Sequence, residues 1–284
     1  MTHIKQISDA EYSGERPLFG EHDAKLVRVI IHPGESSLKQ CARLEVEHCE
    51  FNGKYPFWHN EDCRIRDCVF HEGARAAIWY SRRLEMRDTL VEAPKMFRDM
   101  EGLHIQRVQM PNALETLWHC SGVEIDDVQI DRGDYLLMYS SNVRVNKLTL
   151  NGNYSFQYCR NVEIHDSVLH SKDAFWNTEN ITVYNSLLDG EYLGWHSKNL
   201  RLVNCRIAGT QPLCYAQNLV MENCTMADDC DLAFEYTTLQ AHINGRIHSI
   251  KNPTDGFISA DAVGEVIINE YCREPRACRI EQRG

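Results

Sequence analysis

Two acidic residues, Asp173 and Glu191, have the type and spacing that acid–base chemistry needs. They lie 18 residues apart, and each comes shortly before a tryptophan. Hydrolysis of a glycosidic bond uses two carboxyl groups, ~5–5.5 Å apart for retention or ~6.5–9.5 Å apart for inversion. Neighbouring strands stack at ~4.8 Å, so side chains on adjacent coils of a stacked chain can reach these separations. We therefore take Asp173 and Glu191 as the candidate acid and base.

Charged residues in the equivalent segments separate by sign along the chain. Early segments carry Lys95 and Arg98, and later segments carry acids that include Glu235. A cation can neutralise the carboxylate of a sugar acid during β-elimination, so Lys95 and Arg98 are candidates for that role and Glu235 is a further acid. A single surface charge is more often plain solvated surface, so the prediction rests on the column as a whole. Lyase, hydrolase and isomerase chemistry all stay open.

The tryptophans of the chain share one position of a repeat, as Trp58, Trp79, Trp118, Trp176 and Trp195. Two interpretations are open. The rings either form an exposed track that binds sugar rings, together with His196, or they stack inside a core. An apolar residue before most of these positions favours outward rings, and a polar residue after them favours inward rings. An exposed strip of this length would need a partner.

A repeat of 19–21 residues positions these candidates. Its clearest copies are Asn161–Leu169, Asn180–Leu188 and Asn199–Ile207, in which an asparagine precedes alternating apolar residues. A fixed period of this length predicts a solenoid. Counting each repeat from its leading residue, the starts are Arg43, Asp62, Arg83, Gly102, Gly122, Asn142, Asn161, Asn180, Asn199 and Asn218.

Each repeat holds three segments that alternate in polarity, which is a strand signal. Three short strands per coil predict an all-β, single-stranded parallel β-helix of about 11–12 coils of 19–21 residues. The leading asparagines are expected to form buried ladders of amide hydrogen bonds. A leucine-rich repeat fits less well, because here the asparagine precedes the apolar pair and the return is strand-like.

Eight segments of the repeat carry a family resemblance: Gly34–Lys39, Lys54–Trp58, Ala77–Ser81, Ala93–Arg98, Gly152–Phe156, Asp173–Trp176, Gly190–Trp195 and Phe234–Tyr236. The chain resembles, over nearly its whole length, an uncharacterised bacterial domain-of-unknown-function family of right-handed parallel β-helix proteins. The resemblance implies the pectate-lyase-like fold and no particular activity. Motifs of the characterised pectate lyases are not visible, so none of their catalytic residues is carried over.

One β-helix domain over residues 1–284 is expected. Residues 1–41 are interpreted as the N-terminal cap and first coils, 42–237 as regular coils, and 238–284 as the last coils and C-terminal cap. Caps are expected because an open strand edge recruits other chains.

Composition limits the partners. A formal charge of −11 repels nucleic acid and anionic membrane. No apolar run is long enough for a signal peptide or a membrane span, which predicts a cytoplasmic protein. The expected ligand is a saccharide or sugar acid. The alternative is a non-catalytic binding or scaffold protein whose aromatic face contacts another protein or a second copy in a homo-oligomer.

No cofactor and no metal are expected. The twelve cysteines include no Cys-x-x-Cys pair, and they are interpreted as reduced, buried, apolar groups. His59, His119 and His196 share a column, but the coils that carry them are too far apart to form one metal site.

Overall fold

The computed structural model describes residues 4–272, 274 and 277–284. Residues 1–3, 273 and 275–276, which belong to the predicted caps, lie outside the described residues. The chain divides into two compact units, Met1–Arg144 and Val145–Gly284. Both are parallel β-solenoids with about 14 turns in all, and the predicted all-β, right-handed parallel β-helix class is confirmed. The single domain stays a prediction.

In the N-terminal unit most coils contribute a leading strand and a second strand. The leading strands are β1 (Lys5–Ser8), β3 (His22–Val27), β5 (Ala42–Glu47), β7 (Glu61–Arg66), β9 (Arg82–Arg87) and β11 (Glu101–Gln106). The second strands are β2 (Glu11–Glu15), β4 (Ile30–Glu35), β6 (Glu50–Phe51), β8 (Val69–Phe70), β10 (Leu90–Val91) and β12 (Gln109–Met110). Strand β13 (Ser121–Ile130) runs through both positions. Neighbouring strands pair in parallel.

In the C-terminal unit the same order continues. Strand β14 (Ser141–Asn151) contains the boundary between the units. It is followed by β15 (Arg160–His165), β16 (Val168–His170), β17 (Glu179–Tyr184), β18 (Leu187–Asp189), β19 (Lys198–Val203), β20 (Arg206–Ala208) and β21 (Leu219–Met226). The last strands are β22 (Thr238–Ile243), β23 (Arg246–Lys251), β24 (Asp255–Ala260), β25 (Ala262–Ile267) and β26 (Cys278–Gln282). Here too the pairing is parallel.

The core consists of like residues stacked coil on coil. Val46 of β5 faces Ile65 of β7 in register, and both side chains are buried. Phe51 stacks on Phe70 with 4.7 Å between ring centroids. Such columns follow from the period-two alternation of the strands, because every second side chain points inward. The number of coils exceeds the predicted 11–12 because β1–β4 and β22–β26 occupy most of the two end regions, where the sequence predicted caps beside the first and last coils.

The fold uses almost no helix, and its cysteines are not paired in disulfides. Over the described residues the helical turns reduce to one 3₁₀ turn, Glu72–Ala74. No helix in that part of the chain is long and apolar enough to cross a membrane. All twelve cysteines are free thiols, ten of them buried.

The predicted repeat starts coincide with left-handed corners. Arg43 has φ of 52° and Asn161 has φ of 55°, and the other eight starts also have positive φ. In the C-terminal unit Asn180 donates to Asn161 at 3.1 Å and Asn199 donates to Asn180 at 2.8 Å. These amide ladders are exposed rather than buried as predicted, because the corner directs the side chains outward.

The aromatic-rich third segment is not an extended strand. Its φ is positive at alternate residues, as in Tyr55 (58°), Phe57 (59°) and His59 (58°). Coil-to-coil hydrogen bonds persist, since Phe57 N–H donates to Ser37 O at 3.0 Å. We call this stretch the turn segment. Each regular coil therefore has two extended strands and a turn segment, where the sequence predicted three strands.

Candidate functional site

Three successive positions of the turn segment form three columns of side chains. The first is a buried column that includes Phe57, Phe97 and Phe175. The second, the tryptophan column, contains Trp58, Trp79, Arg98, Trp118 and Met138 in the N-terminal unit, and Gln157, Trp176, Trp195, Cys214 and Glu235 in the C-terminal unit. The third, the outer ring column, contains His59, Tyr80, Asp99, His119 and Tyr139, and then Tyr158, Asn177, His196, Tyr215 and Tyr236.

The tryptophans lie between the two orientations considered from sequence. They are half-buried, outside the core, and stacked along the column: Trp58 and Trp79 lie 5.2 Å apart with 6° between their planes. Lys39 Nζ lies 5.3 Å from the Trp58 centroid. The Trp79 indole N–H donates to Lys95 O at 2.8 Å, and Trp195 makes the equivalent bond to Gln211 O at 2.7 Å. Neighbouring coils therefore cover these ring faces, and a ligand would meet ring edges.

Lys95 and Arg98 come together around one carboxylate. Lys95 Nζ lies 2.9 Å from Glu115 Oε2, and an Arg98 nitrogen lies 3.9 Å from the same oxygen. The Arg98 guanidinium fits between two indoles, 4.4 Å from the Trp79 centroid and 4.7 Å from that of Trp118. Glu115 therefore pairs with both cations.

Asp173 and Glu191 lie on adjacent coils, joined by a bond from Asp173 N–H to Glu191 O at 2.8 Å. Asp173 is only 8% exposed, and its burial raises the pKa of its carboxyl, with a smaller opposing effect from Lys172. The Glu191 side chain is 50% exposed and pairs with Lys172 Nζ at 3.2 Å. Lys172 Nζ also lies 5.2 Å from the Tyr192 centroid. The structure thus brings together two carboxyls in unlike environments, and a cation.

Glu235 and His196 belong to other contacts. Glu235 is nearly buried and pairs with Lys251 Nζ at 2.9 Å. The hydrogen bond that Lys251 donates to Glu235 raises the pKa of Lys251, which keeps the ammonium charged. His196 stacks on Tyr215 with 4.8 Å between centroids, and its ring centroid lies 5.4 Å from that of Trp176.

Sequence reasoning missed the outer ring column as a candidate surface. His59 stacks on Tyr80 at 5.0 Å, and His119 stacks on Tyr139 at 5.0 Å. Tyr80 is 44% exposed, more than any tryptophan. The signal is present in the sequence, as a histidine or tyrosine directly after four of the five tryptophans, where it served only as a polar residue that favours inward rings.

No residue of the leading strands is a candidate from the sequence. In the N-terminal unit they form a groove of about 890 Å³ lined by charged residues of β3, β5, β7, β9 and β11. Ion pairs occupy its walls: Arg43 Nε lies 2.6 Å from Asp23, and Arg83 Nε lies 2.7 Å from Asp62. Since these charges neutralise one another, the groove offers few free charges for a ligand. Across the part of the chain that the structure describes, no three His, Cys, Asp or Glu side chains cluster as metal ligands would.

This fold and these columns define a class, the parallel β-solenoid proteins whose turn segments carry stacked rings. The chain belongs to the family described as protein of unknown function (DUF3737), whose family model matches residues 5–281. The predicted resemblance to an uncharacterised β-helix family is thereby confirmed. None of the curated proteins matches the chain.

Several solved structures are similar in fold but distant. The catalytic domain of a GH87 alpha-1,3-glucanase in complex with nigerose is 9% identical, with a TM-score of 0.34, over 98% of this chain and 63% of that one. The mannuronan C-5 epimerase AlgE4 A-module of Azotobacter vinelandii is 11% identical, with a TM-score of 0.32, over 98% and 90%. The tailspike of E. coli bacteriophage HK620, in complex with a pentasaccharide, is 10% identical, with a TM-score of 0.35, over 97% and 60%. At these scores the likenesses carry no argument about activity, and the chain spans less than two thirds of the glucanase domain.

Proposed function

We propose that the protein binds and processes a saccharide on the turn segments of the C-terminal unit, with Asp173 and Glu191 as acid and base. The observation that carries the proposal is the unlike environment of the two carboxyls. Burial raises the pKa of Asp173, whereas Glu191 is half exposed and pairs with Lys172 at 3.2 Å. Neighbouring carboxyls whose environments separate their pKa values are the usual sign of an acid–base division of labour.

The coil geometry supports a glycosidic substrate. Asp173 and Glu191 are on adjacent coils, so their backbones are ~4.8 Å apart, close to the ~5–5.5 Å that separates the carboxyls of retaining enzymes. Asp173, whose pKa is raised by burial, would donate a proton to the leaving oxygen. Glu191, which pairs with Lys172, would act as base or nucleophile. The half-buried rings of Tyr192 and Trp195, with centroids 5.0 Å apart, support that coil.

A sugar acid is the more specific substrate class that we propose. Lys172 sits beside the acid pair, and its hydrogen bond with Glu191 raises the pKa of the ammonium group, which therefore stays charged. A charged amine there would neutralise the carboxylate of a uronic acid. In the N-terminal unit Lys95 and Arg98 would bind a further acidic group, and in the C-terminal unit Glu235 would act as an additional carboxyl.

The test uses a panel of neutral and uronic oligosaccharides. Products are followed as new reducing ends, as unsaturated uronate absorbance and as epimer signals in NMR spectra. Asp173→Asn and Glu191→Gln should each lower turnover about 100-fold or more, because a positioned acid or base contributes ~10²–10⁴-fold. Asp189→Asn is the matched control, since Asp189 is on the same coil as Glu191 and its carboxylate pairs with His170 at 2.9 Å. Activity that survives the double substitution rules out this pair.

A second candidate function follows from the exposed outer ring column. Tyr80 and Tyr139 are 44% and 48% exposed, which suits a non-catalytic binding or scaffold surface, including contact with a second copy. Under this alternative, the oligomeric state measured by light scattering changes when Tyr80 is replaced by Ser. A monomer that processes sugars excludes it. Exclusion of nucleic acid by the charge of −11 stays a prediction.

A cytoplasmic location is also part of the proposal. It is supported by the twelve cysteines, all of which are free thiols. A reducing compartment keeps thiols in that state. Fractionation of cells that express the tagged chain tests it, and recovery outside the cytoplasm would contradict it.

A further inference from the structure

The outer ring column is interrupted once in each unit by a short polar side chain. In the N-terminal unit Asp99 stands between Tyr80 and His119, and in the C-terminal unit Asn177 stands between Tyr158 and His196. The order Tyr–Asx–His is therefore the same in both units. On the far sides of these gaps the stack resumes, as His59–Tyr80, His119–Tyr139 and His196–Tyr215.

The backbone is regular at the gaps. Asp99 has φ of 52° and Asn177 has φ of 51°, close to the 58° of Tyr80 and the 54° of His119. The coil-to-coil bonds continue, from Tyr80 N–H to Arg98 O at 2.9 Å and from Asp99 N–H to Trp118 O at 3.0 Å. Only the side chain differs, so a ring is missing from an otherwise continuous stack.

The space is that of one ring. Residues two coils apart are about 10 Å apart, so a ring placed midway would lie about 5 Å from Tyr80 and from His119. The existing pairs stack at this same spacing, as His59–Tyr80 does at 5.0 Å. In the adjacent tryptophan column the same coil also lacks an aromatic ring, and there the Arg98 guanidinium fills the place, 4.4 Å from the Trp79 centroid and 4.7 Å from the Trp118 centroid.

The surroundings select the kind of group that fits. At the first gap the walls are the ring faces of Tyr80 and His119 that point away from their stacking partners His59 and Tyr139, and at the second gap His196 offers such a face opposite Tyr215. The residue between the walls carries a carboxylate or an amide, either of which can accept hydrogen bonds. A cation at the first gap would lie near Arg98, and an anion would lie near Asp99, so a neutral group is favoured. A pyranose ring has apolar faces and a rim of hydroxyl donors, and adjacent hydroxyls can bond both oxygens of one carboxylate.

We propose that each gap is a subsite that receives one pyranose ring of a saccharide, stacked between Tyr80 and His119 over Asp99, or between Tyr158 and His196 over Asn177. This inference rests on the proposed function for its substrate class. The C-terminal subsite is on the same turn segment as Asp173, so it would hold a sugar unit beside the acid pair. The N-terminal subsite would hold a unit of its own.

Conformational tolerance is the competing explanation, because Asp and Asn adopt positive φ more readily than other residues. The backbone conformation alone does not require aspartate or asparagine at positions 99 and 177, because tyrosine and histidine adopt the same φ at the other positions of the column. If tolerance were the whole reason, filling the gap with a ring would change stability and nothing else.

The experiment fills the gaps. Methyl pyranosides of glucose, galactose and mannose are titrated at millimolar concentration into the full chain, and binding is followed by saturation-transfer NMR. We expect binding to the wild type, a loss of about tenfold or more in affinity on Asp99→Tyr at the N-terminal subsite, and a loss at both subsites when Asn177→Tyr is added. Thermal stability should be unchanged or higher. Asp67→Tyr is the control, because Asp67 is exposed and has the same left-handed backbone, with φ of 52°.

Three results would overturn the subsites: no binding of any pyranoside to the wild type, unchanged binding in the filled variants, or binding of adenosine in preference to the sugars. Asp99→Ala is the second variant, which removes the carboxylate and keeps the gap, and it should weaken binding about tenfold. If these variants weaken pyranoside binding but the protein turns over no saccharide, only the catalytic proposal is contradicted. If Asp173→Asn abolishes turnover but the filled variants change neither binding nor turnover, only the subsite proposal is contradicted.

Discussion

The Arg98 guanidinium lies between Trp79 and Trp118, with its carbon 4.4 Å from one ring centroid and 4.7 Å from the other. Among the described residues its Nε, which is buried, has no hydrogen-bond partner, so the two indole faces are its main surroundings. The planar cation therefore occupies the place that a third indole would take in the stack.

Replacement of Arg98 by Ala should lower the free energy of unfolding by about 1–3 kcal/mol, because two partly desolvated cation–π contacts and the packing of the stem are lost. Arg98→Lys should recover only part of this, since an ammonium cannot cover two ring faces. Urea denaturation measures both. Arg64→Ala is the control, because Arg64 is 73% exposed and its ion pairs are 3.7–3.8 Å long. Equal effects at the two positions would contradict the stacking account.

Asn180 carries both a ladder and a left-handed corner. Its amide donates to Asn161 at 3.1 Å and accepts from Asn199 at 2.8 Å, with φ of 58°. Asn180→Ala should cost about 2 kcal/mol, from lost amide bonds and from the ~1–2 kcal/mol that an ordinary residue pays in this conformation. Asn180→Gly removes the amide bonds without that strain, so it should cost less than Asn180→Ala in urea denaturation. The reverse order would be inconsistent with the corner.

His71 should make stability depend on pH. Burial lowers the pKa of the ring, but hydrogen bonds to Glu50 at 3.2 Å and Glu92 at 3.1 Å outweigh it and leave the pKa above its ordinary value. A raised pKa in the folded state contributes stability that is complete below about pH 6.5 and is lost as pH rises through the folded value. The effect should stay below about 1 kcal/mol because these groups are partly exposed.

The measurement compares the wild type with His71→Gln by urea denaturation on both sides of this window, with the ring followed by NMR titration. The free energy of unfolding of the variant should depend less on pH than that of the wild type. His248→Gln is the control, since His248 is exposed. Identical pH profiles for the wild type and His71→Gln would refute the assignment.

Asp173 should reduce stability at neutral pH. Its pKa is raised by burial, so the folded state resists ionisation and stability falls as pH rises from about 3.9 through the folded pKa. Asp173→Asn should therefore raise the melting temperature at pH 7 while leaving it nearly unchanged at low pH. The same substitution at Asp189, which is only partly buried beside His170, should not stabilise the protein. A less stable Asp173→Asn protein at pH 7 would show that the ionised carboxylate is well accommodated.

The native thiols should be almost inert. Ten of the twelve cysteines are buried, and burial raises the pKa of Cys41 to about 11 and of Cys120 to about 12. The thiolate is the reactive form, so a thiol reagent at pH 8 should label at most Cys272 and Cys278 in the folded protein and all twelve in denaturant. Replacement of these two by Ser should abolish native labelling. Rapid labelling of further cysteines in that double variant would mean that the coils open readily.

The repeat starts were predictable because a left-handed corner needs particular residues. Asn161, Asn180 and Asn199 recur at that corner, and the glycines Gly102 and Gly122 fill it elsewhere with φ of 73° and 64°. Period-two alternation then gave the inward residues of the strands. Both signals are local, so a single sequence carries them.

The turn segment was not predictable in the same way. Alternation of φ sign in Tyr55, Phe57 and His59 has the same period of two residues as an extended strand, so sequence cannot separate the two. The difference moves the tryptophans: an extended strand would send Trp58 fully in or fully out, whereas the left-handed turns lay it along the surface. The unlike environments of Asp173 and Glu191 also depend on burial, which no spacing reveals.

One position in the buried column shows how the coils compensate for each other. Gly194 occupies the place that Phe175 holds one coil earlier, with φ of 70°. A methyl group there would come within 2.9 Å of Leu213 and 3.0 Å of Leu200. These leucines have filled the space of the missing ring, so the gap in the sequence leaves no gap in the core.

The side-chain ladders at the corners repeat after different numbers of coils in the two units. In the N-terminal unit the column alternates Asp23, Arg43, Asp62 and Arg83, so its chemistry repeats only after two coils. Deletion of one coil there would set like charges against each other, whereas deletion of two would restore the match. The asparagines of the C-terminal unit are each donor and acceptor, so their ladder repeats after one coil. The four coils that carry Asp23, Arg43, Asp62 and Arg83 are thus interchangeable in pairs, and the coils of the asparagine ladder singly.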